Sequence, residues 1–232
     1  MKSNEKTFRI LTAIVFLLAA VNQLVILFTS LINQLEYIIK VGNFAEIMRV
    51  IENLSYTFIP FVLLVAVAII LFLGKDKILT YGLIAISGLF LIFQLKRSFG
   101  NITNLGSDID TFFRIMNYIL LPLATAVLLL GMSVCSAFLK EKVPAFIPML
   151  LGFFAAFCMV LYDINYVILS FNGGFLARAI GKYSKYDSSF YELRIADYIY
   201  FIFDILFFIT LAAGIALLGV YLTKRMKSTD EQ

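Results

Sequence analysis

The stretch Phe99–Pro122, FGNITNLGSDIDTFFRIMNYILLP, decides how the rest of the chain is read. It leaves one apolar run at Phe99-Gly100-Asn101 and crosses a polar loop. It then enters the next apolar run through Arg114, Asn117, Tyr118 and Pro122. Upstream, Val41-Gly42-Asn43-Phe44 leads to Tyr56 and Pro60, with the Tyr-to-Pro spacing of Tyr118 and Pro122. Downstream, Asn172-Gly173-Gly174-Phe175 leads to Arg194 and Tyr198, spaced like Arg114 and Tyr118. The pattern predicts a three-fold repeat of helical hairpins, each turning at a Gly/Asn loop.

Composition fixes the solvent of these hairpins. The chain is 62% hydrophobic and 15% charged, far outside the soluble average. A soluble domain of this size must still cover its surface with polar groups. A spanning helix needs about 20 mostly apolar residues, and the sequence supplies six such runs. They are expected at about Phe8–Ile32, Leu54–Leu73, Ile78–Leu95, Phe112–Leu139, Ala145–Phe171 and Leu193–Thr223. The expected fold is therefore an all-α, polytopic membrane protein of six transmembrane helices in three hairpins, about 8–73, 78–139 and 145–223. Residues 1–232 form one transmembrane domain in this reading.

The first run has an uncharged core from Ile10 to Ile32, too long for a signal-peptide core and without a clean small-x-small cleavage site. It reads as a retained span. The mixed segment Asn33–Asn53 carries Phe44, Ile47, Met48 and Ile51 at helical spacing, which predicts a short interfacial helix. Pro60 is expected in the first turns of the second span, where a missing N–H costs least.

Basic residues set the expected orientation. Ten of the 19 Lys and Arg residues crowd the N-terminal tail, the turns Gly74–Lys77 and Lys140–Pro144, and the C-terminal tail opened by Lys224, Arg225 and Lys227. The positive-inside rule places these segments in the cytoplasm and the three longer loops outside, in a plasma membrane. Ten of the 12 tyrosines then fall in the outer half, with Tyr81 and Tyr221 as exceptions. They read as an interfacial belt, or as the lining of a pocket or contact surface.

The strongest constellation lies in the last hairpin. Asp163 and Asp204 each sit about 12–14 Å below the outer ends of their helices at 1.5 Å per residue. Tyr162, Asn165 and Tyr166 surround the first; Asp197 and Tyr200 lie one to two turns above the second. A carboxylate in hydrocarbon is expensive, so both are expected to face a shared cavity, a partner or a cation. The alternative is a buried hydrogen-bond network joining two helices. Gly152 and Ala156, with Ala212 and Ala216, are expected to close that hairpin on the inner side through small-xxx-small faces. Asn22 and Gln23 in the first span, and Gln94, Lys96, Arg97, Arg114 and Asn117, can join such a site. Lys96, Arg97 and Arg114 are expected mainly to snorkel, and Glu36, Glu46, Glu52, Asp108 and Asp110 to be solvated loop charges.

Several chemistries are excluded or unsupported. No Walker-type phosphate loop and no G-x-S-x-G elbow is present. No histidine is present, which removes histidine acid–base chemistry and histidine haem ligation. Cys135 and Cys158 lie at different depths and read as small buried hydrophobes rather than a disulfide or metal site. Asn53-Leu-Ser55 and Asn101-Ile-Thr103 are glycosylation sequons on outer segments, relevant only in a secretory pathway. No basic run points to nucleic acid. Tyr162-Asp163 is similar to the Tyr-Asp of intramembrane aspartyl proteases, but Asp204 lacks their Gly-x-Gly-Asp context. The three-hairpin plan is similar to mitochondrial carriers, whose Pro-x-[Asp/Glu]-x-x-[Lys/Arg] signature is absent. Size and helix count are similar to membrane subunits of vitamin-uptake systems, with no shared motif. The expectation is a non-enzymatic protein without cofactor or metal. It has an outward-facing polar pocket that binds or transports a small molecule or ion, cations included. The second expectation is an accessory or immunity-type subunit that binds a membrane protein, or a second copy, through its outer loops and lipid-facing surface. The lipid bilayer is the partner common to both.

Overall fold

The computed structural model describes residues 2–41, 43–102, 110–139, 142–171 and 195–230. The helices are α1 (Lys2–Val41), α2 (Phe44–Leu73), α3 (Asp76–Ile102), α4, α5 (Ile147–Phe171) and α6 (Ile195–Asp230). Helix α4 is built in three consecutive pieces, Asp110–Ile115, a π-turn at Met116–Leu120, and Leu121–Phe138. Among the described residues six helices are long and apolar enough to cross a membrane, and there is no strand. The all-helical, six-span class expected from composition is what the structure shows.

The helices form a ring in chain order. Each packs on its neighbours in sequence, and α6 returns to pack on α1, so the first and last spans close the ring. Both chain termini and the two short connections lie at one end, here the terminal end. The opposite, distal end carries the ends of α1, α3 and α5 and the beginnings of α2, α4 and α6. Outward faces are apolar, as in Phe153, Phe154 and Phe157 of α5, which are about half exposed. Such a face is stable in lipid and not in water.

Several boundaries differ from the sequence expectation. There is no separate interfacial helix: α1 continues to Val41, and Phe44–Asn53 is the start of α2. Asn43 alone of the described residues in that segment stands outside a helix, so the apolar periodicity belongs to a longer helix. Its Phe44, Met48 and Ile51 face outward, while Val50 is buried in the ring. Pro60 consequently lies deep in α2 rather than in its first turns. Lys224, Arg225 and Lys227 belong to α6, which continues to Asp230. Lys224 Nζ sits 3.6 Å above the Phe8 ring, and Arg225 Nη2 donates to Thr80 Oγ1 at 3.0 Å. The three-fold repeat is not shown. Tyr56 and Tyr118 face the interior of the ring, whereas Tyr198 is largely exposed. The loop residues of the proposed repeat at 103–109 and 172–194, Ser107, Asp108 and Arg194 among them, and the Lys140 and Glu141 pair lie outside the described residues.

Local chemistry explains the turns and the close contacts. Gly74 ends α2 at φ 61°, a left-handed conformation that glycine adopts without penalty. Its N–H donates to the Ile70 carbonyl at 3.1 Å, the αL cap, and Arg9 Nη1 donates to the Gly74 carbonyl at 3.2 Å. Thr223 Oγ1 of α6 accepts the Met149 N–H at 3.1 Å, one of the N–H groups at the start of α5 that lack a partner in their own helix. The tightest helix contact is between α5 and α6. A Cβ on Gly152 would stand 3.0 Å from Gly219 Cα and 3.2 Å from the Ile215 carbonyl oxygen. On Gly219 it would stand 2.9 Å from the Pro148 carbonyl oxygen. The small-residue closure expected at Gly152 is therefore present, but its partner is Gly219 rather than Ala212 or Ala216.

Two glycine replacements measure this contact. Gly219→Ala forces backbone against backbone and should cost about 1–3 kcal/mol. Gly88→Ala on α3 meets nothing within 4 Å and should be neutral or stabilising by up to about 1 kcal/mol. Thermal unfolding in detergent should rank Gly219→Ala clearly below Gly88→Ala; equal midpoints would contradict the close packing.

Candidate functional site

The ring encloses a cavity of about 770 Å³ that takes residues from each of the spans. At its distal mouth stand Gln34 of α1, Glu52 and Tyr56 of α2, Arg97 of α3 and Tyr118 of α4. Glu52 is exposed, so the cavity opens at this end. Glu52 also accepts a hydrogen bond from the Tyr56 hydroxyl at 3.3 Å. The middle level carries Gln23, Thr57, Gln94 and Thr125, together with Tyr162, Tyr166, Tyr200 and Asp204. Below them the wall becomes apolar and ends at Phe16, Val67, Leu83 and Leu218. One turn further on, Leu71, Leu79, Tyr221 and Leu222 are fully buried, and the Arg225–Thr80 bond ties α6 across to α3. The terminal end is thereby plugged.

Prolines shape the wall. Pro60 supplies no N–H to its own helix and its ring displaces the carbonyls a turn before it. One of these, Thr57 O, accepts a hydrogen bond from Gln23 Nε2 at 3.0 Å. The carbonyl that loses its N–H donor to Pro60 is that of Tyr56, four residues back, and Gln23 reaches from α1 to the adjacent carbonyl of Thr57. Pro122 acts on α4. The Leu121 N–H bonds to the Met116 carbonyl, a π-type reach that passes over Asn117. Since Pro122 has no N–H, the Asn117 carbonyl is left without a donor from its own helix. Asn117 itself is fully buried, and both side-chain amide atoms lack partners among the described residues. Both prolines line the cavity, so both backbone irregularities sit where a cavity, and not lipid, meets them.

The polar centre is Asp204. Asp163 and Arg97 are both close enough to act on its carboxylate electrostatically, and Tyr166 stands beside it. Arg97, Asp204 and Tyr118 are also close enough to act on Tyr162. Ring contacts hold the tyrosines. Tyr162 packs on Phe208 at 4.4 Å between centroids and Tyr166 on Phe201 at 5.9 Å, both within the range of favourable aromatic pairs.

The residues singled out from sequence separate into two groups. Asp204, Tyr162, Tyr166, Tyr200 and Gln23 are in the cavity wall. Asp163, Asn165, Asp197 and Asn22 are not. Asp163 is half-buried, and its Oδ1 is buried without a partner among the described residues. Asn22 instead joins α1 to α6 through Thr210 Oγ1 at 3.2 Å. Of the two aspartates Asp204 lines the cavity, while Asp163 lies outside the lining and close enough to act on Asp204 electrostatically. Arg97, expected to snorkel, lines the cavity, while Lys96 and Arg114 are exposed. Glu52, expected to be a solvated loop charge, lines the mouth. Its approach to Tyr56 across one helical turn was the available signal, hidden by the assumption that α2 began later.

Comparison with protein-family models, with characterised proteins and with solved structures finds no match for this chain. The class that the helices define is an integral, multi-pass membrane protein.

The proline account predicts coupling between α1 and α2. Gln23→Leu should lower stability by about 1 kcal/mol, the net worth of one hydrogen bond. In a Pro60→Ala background, where no ring displaces the carbonyls of the preceding turn, the same change should cost measurably less. A thermal double-mutant cycle reads the difference; additive losses would contradict the role given to Gln23.

Proposed function

We propose that this protein binds or transports a small molecule or ion through the distal cavity. The observation that carries the reading is the placement of Asp204 in the wall of an open cavity at membrane depth, ringed by tyrosines. A carboxylate costs about 2.5–3.5 kcal/mol on insertion scales at the centre of a span, and a cavity ligand is a direct reason to keep one there. Pockets of about 300–1,000 Å³ are the usual size for small-molecule sites. The reading is non-enzymatic. What supports this is the sequence context of Asp204, which lacks the Gly-x-Gly-Asp of intramembrane aspartyl proteases. The crowding of Lys and Arg at the terminal end supports cytoplasmic termini in a plasma membrane, with the cavity mouth facing outward.

A second reading is a membrane subunit that binds a partner protein through its lipid-facing surface, where large apolar side chains such as Phe153, Phe154 and Phe157 are about half exposed.

Cysteine labelling tests the first reading. In a chain with Cys135 and Cys158 replaced by alanine, Thr57→Cys should react with a membrane-impermeant thiol reagent added to intact cells. Labelling only after permeabilisation would invert the orientation. No labelling of folded protein in detergent would remove the cavity.

A further inference from the structure

Asp204 and Arg97 line the same cavity and influence each other electrostatically. Yet among the described residues no ion pair within 4 Å joins them. Each has tyrosines of the cavity wall near it, Tyr166 at Asp204 and Tyr162 at Arg97. Opposite charges held apart in a low-dielectric cavity remain available to a ligand, and their fields are strong there. A simple cation at Asp204, drawn also by Asp163, would still suffer the repulsion of Arg97. A simple anion at Arg97 would suffer that of Asp204. Unfavourable charge placements of this kind exclude wrong ligands as effectively as good contacts recruit right ones.

We propose that the cavity takes a zwitterionic ligand, its ammonium at Asp204 among the tyrosines and its acidic group at Arg97, with an apolar body directed inward. The tyrosine faces of Tyr118, Tyr162, Tyr166 and Tyr200 suit an ammonium, because the negative ring face attracts a cation. The bidentate guanidinium suits a carboxylate or phosphate. Toward the terminal end the wall loses its charge and closes on Val67, Leu83 and Leu218, which gives the apolar body its place. This assignment rests on the cavity reading and deepens it by naming the ligand's chemistry. The same chemistry is offered by a free amino acid and by a phosphatidylethanolamine headgroup.

The test uses the full chain carrying Cys135→Ala, Cys158→Ala and Thr57→Cys, with protection of the introduced thiol at position 57 from a thiol reagent as readout. The probes are L-phenylalanine, 2-phenylethylamine and 3-phenylpropanoate, which share one aryl body and differ in charge. Dihexanoylphosphatidylethanolamine is the lipid arm. At least one of the two zwitterions should protect the thiol, and the better one identifies the source. The amine and the acid should each require about tenfold or more higher concentration, as expected for loss of a charged hydrogen bond. Arg97→Gln and Asp204→Asn should each abolish the advantage of the zwitterion, with unliganded labelling reporting that the variants still fold. Equal protection by the amine or by the acid alone would overturn the zwitterion. Labelling that none of the probes slows would overturn it while leaving the cavity intact. Absence of labelling would overturn the cavity and this inference together.

Discussion

The packing of α1 against α6 is the constraint on which the rest of the structure depends. Without it the helices would form an open row, and the polar residues now facing inward would meet lipid. In lipid the hydrophobic effect does not drive helices together, so close backbone approach and interhelical hydrogen bonds must do so. Both are present here. Ala13, Ala19 and Ala20 of α1 are fully buried or nearly so, as are Ala212 and Ile215 of α6. The Phe16 ring lies where a side chain on Gly214 would begin, 3.2 Å from such a Cβ. Asn22 donates to Thr210 across the same interface. Near the terminal end, Lys224 covers the Phe8 ring and completes the seam.

Once the ring is closed, polarity can be concentrated inside it. The distal half holds charges, amides and tyrosines, while the terminal half holds leucines, Tyr221 and Met226. Ser87 and Ser133 show how the remaining hydroxyls are handled. Each donates to the carbonyl of its own preceding turn or to the other, and their oxygens lie 3.0 Å apart across α3 and α4. The two prolines fit the same division. Pro60 and Pro122 each disturb a helix on the cavity side: Gln23 bonds a carbonyl beside the first, and a π-turn precedes the second. A proline facing lipid would leave carbonyls that nothing could satisfy.

Spans and their number were legible because about 20 apolar residues with a charged edge leave little ambiguity in lipid. Helix ends were less so. The charges of residues 33–53 suggested a surface segment, yet helices can project beyond the hydrocarbon, and α1 and α2 do. Depth was readable for Asp163 and Asp204, but depth does not give facing. Facing depends on the rotation of each helix within the ring, which turned Asp204 inward and left Asp163 outside the wall. The same limitation hid Arg97, indistinguishable in sequence from its neighbour Lys96. Gly219 was missed because the partner of Gly152 depends on the stagger between α5 and α6. Asn117 was legible as a polar residue near a helix start; the π-turn that buries it follows from Pro122, a signal that was present in the sequence and not used.

The closure between the first and last spans can be measured without a ligand. Asn22→Cys and Thr210→Cys, introduced together after replacing Cys135 and Cys158 with alanine, place thiols where the native side chains form a 3.2 Å hydrogen bond. A short bifunctional thiol reagent should join them within one chain, detectable as a link between the fragments after cleavage in the 172–194 segment. Rapid intramolecular linkage at high dilution is the result that the closed ring predicts. Fragments that separate after cleavage, from protein whose two introduced thiols each react singly, would contradict the ring and with it the enclosed cavity.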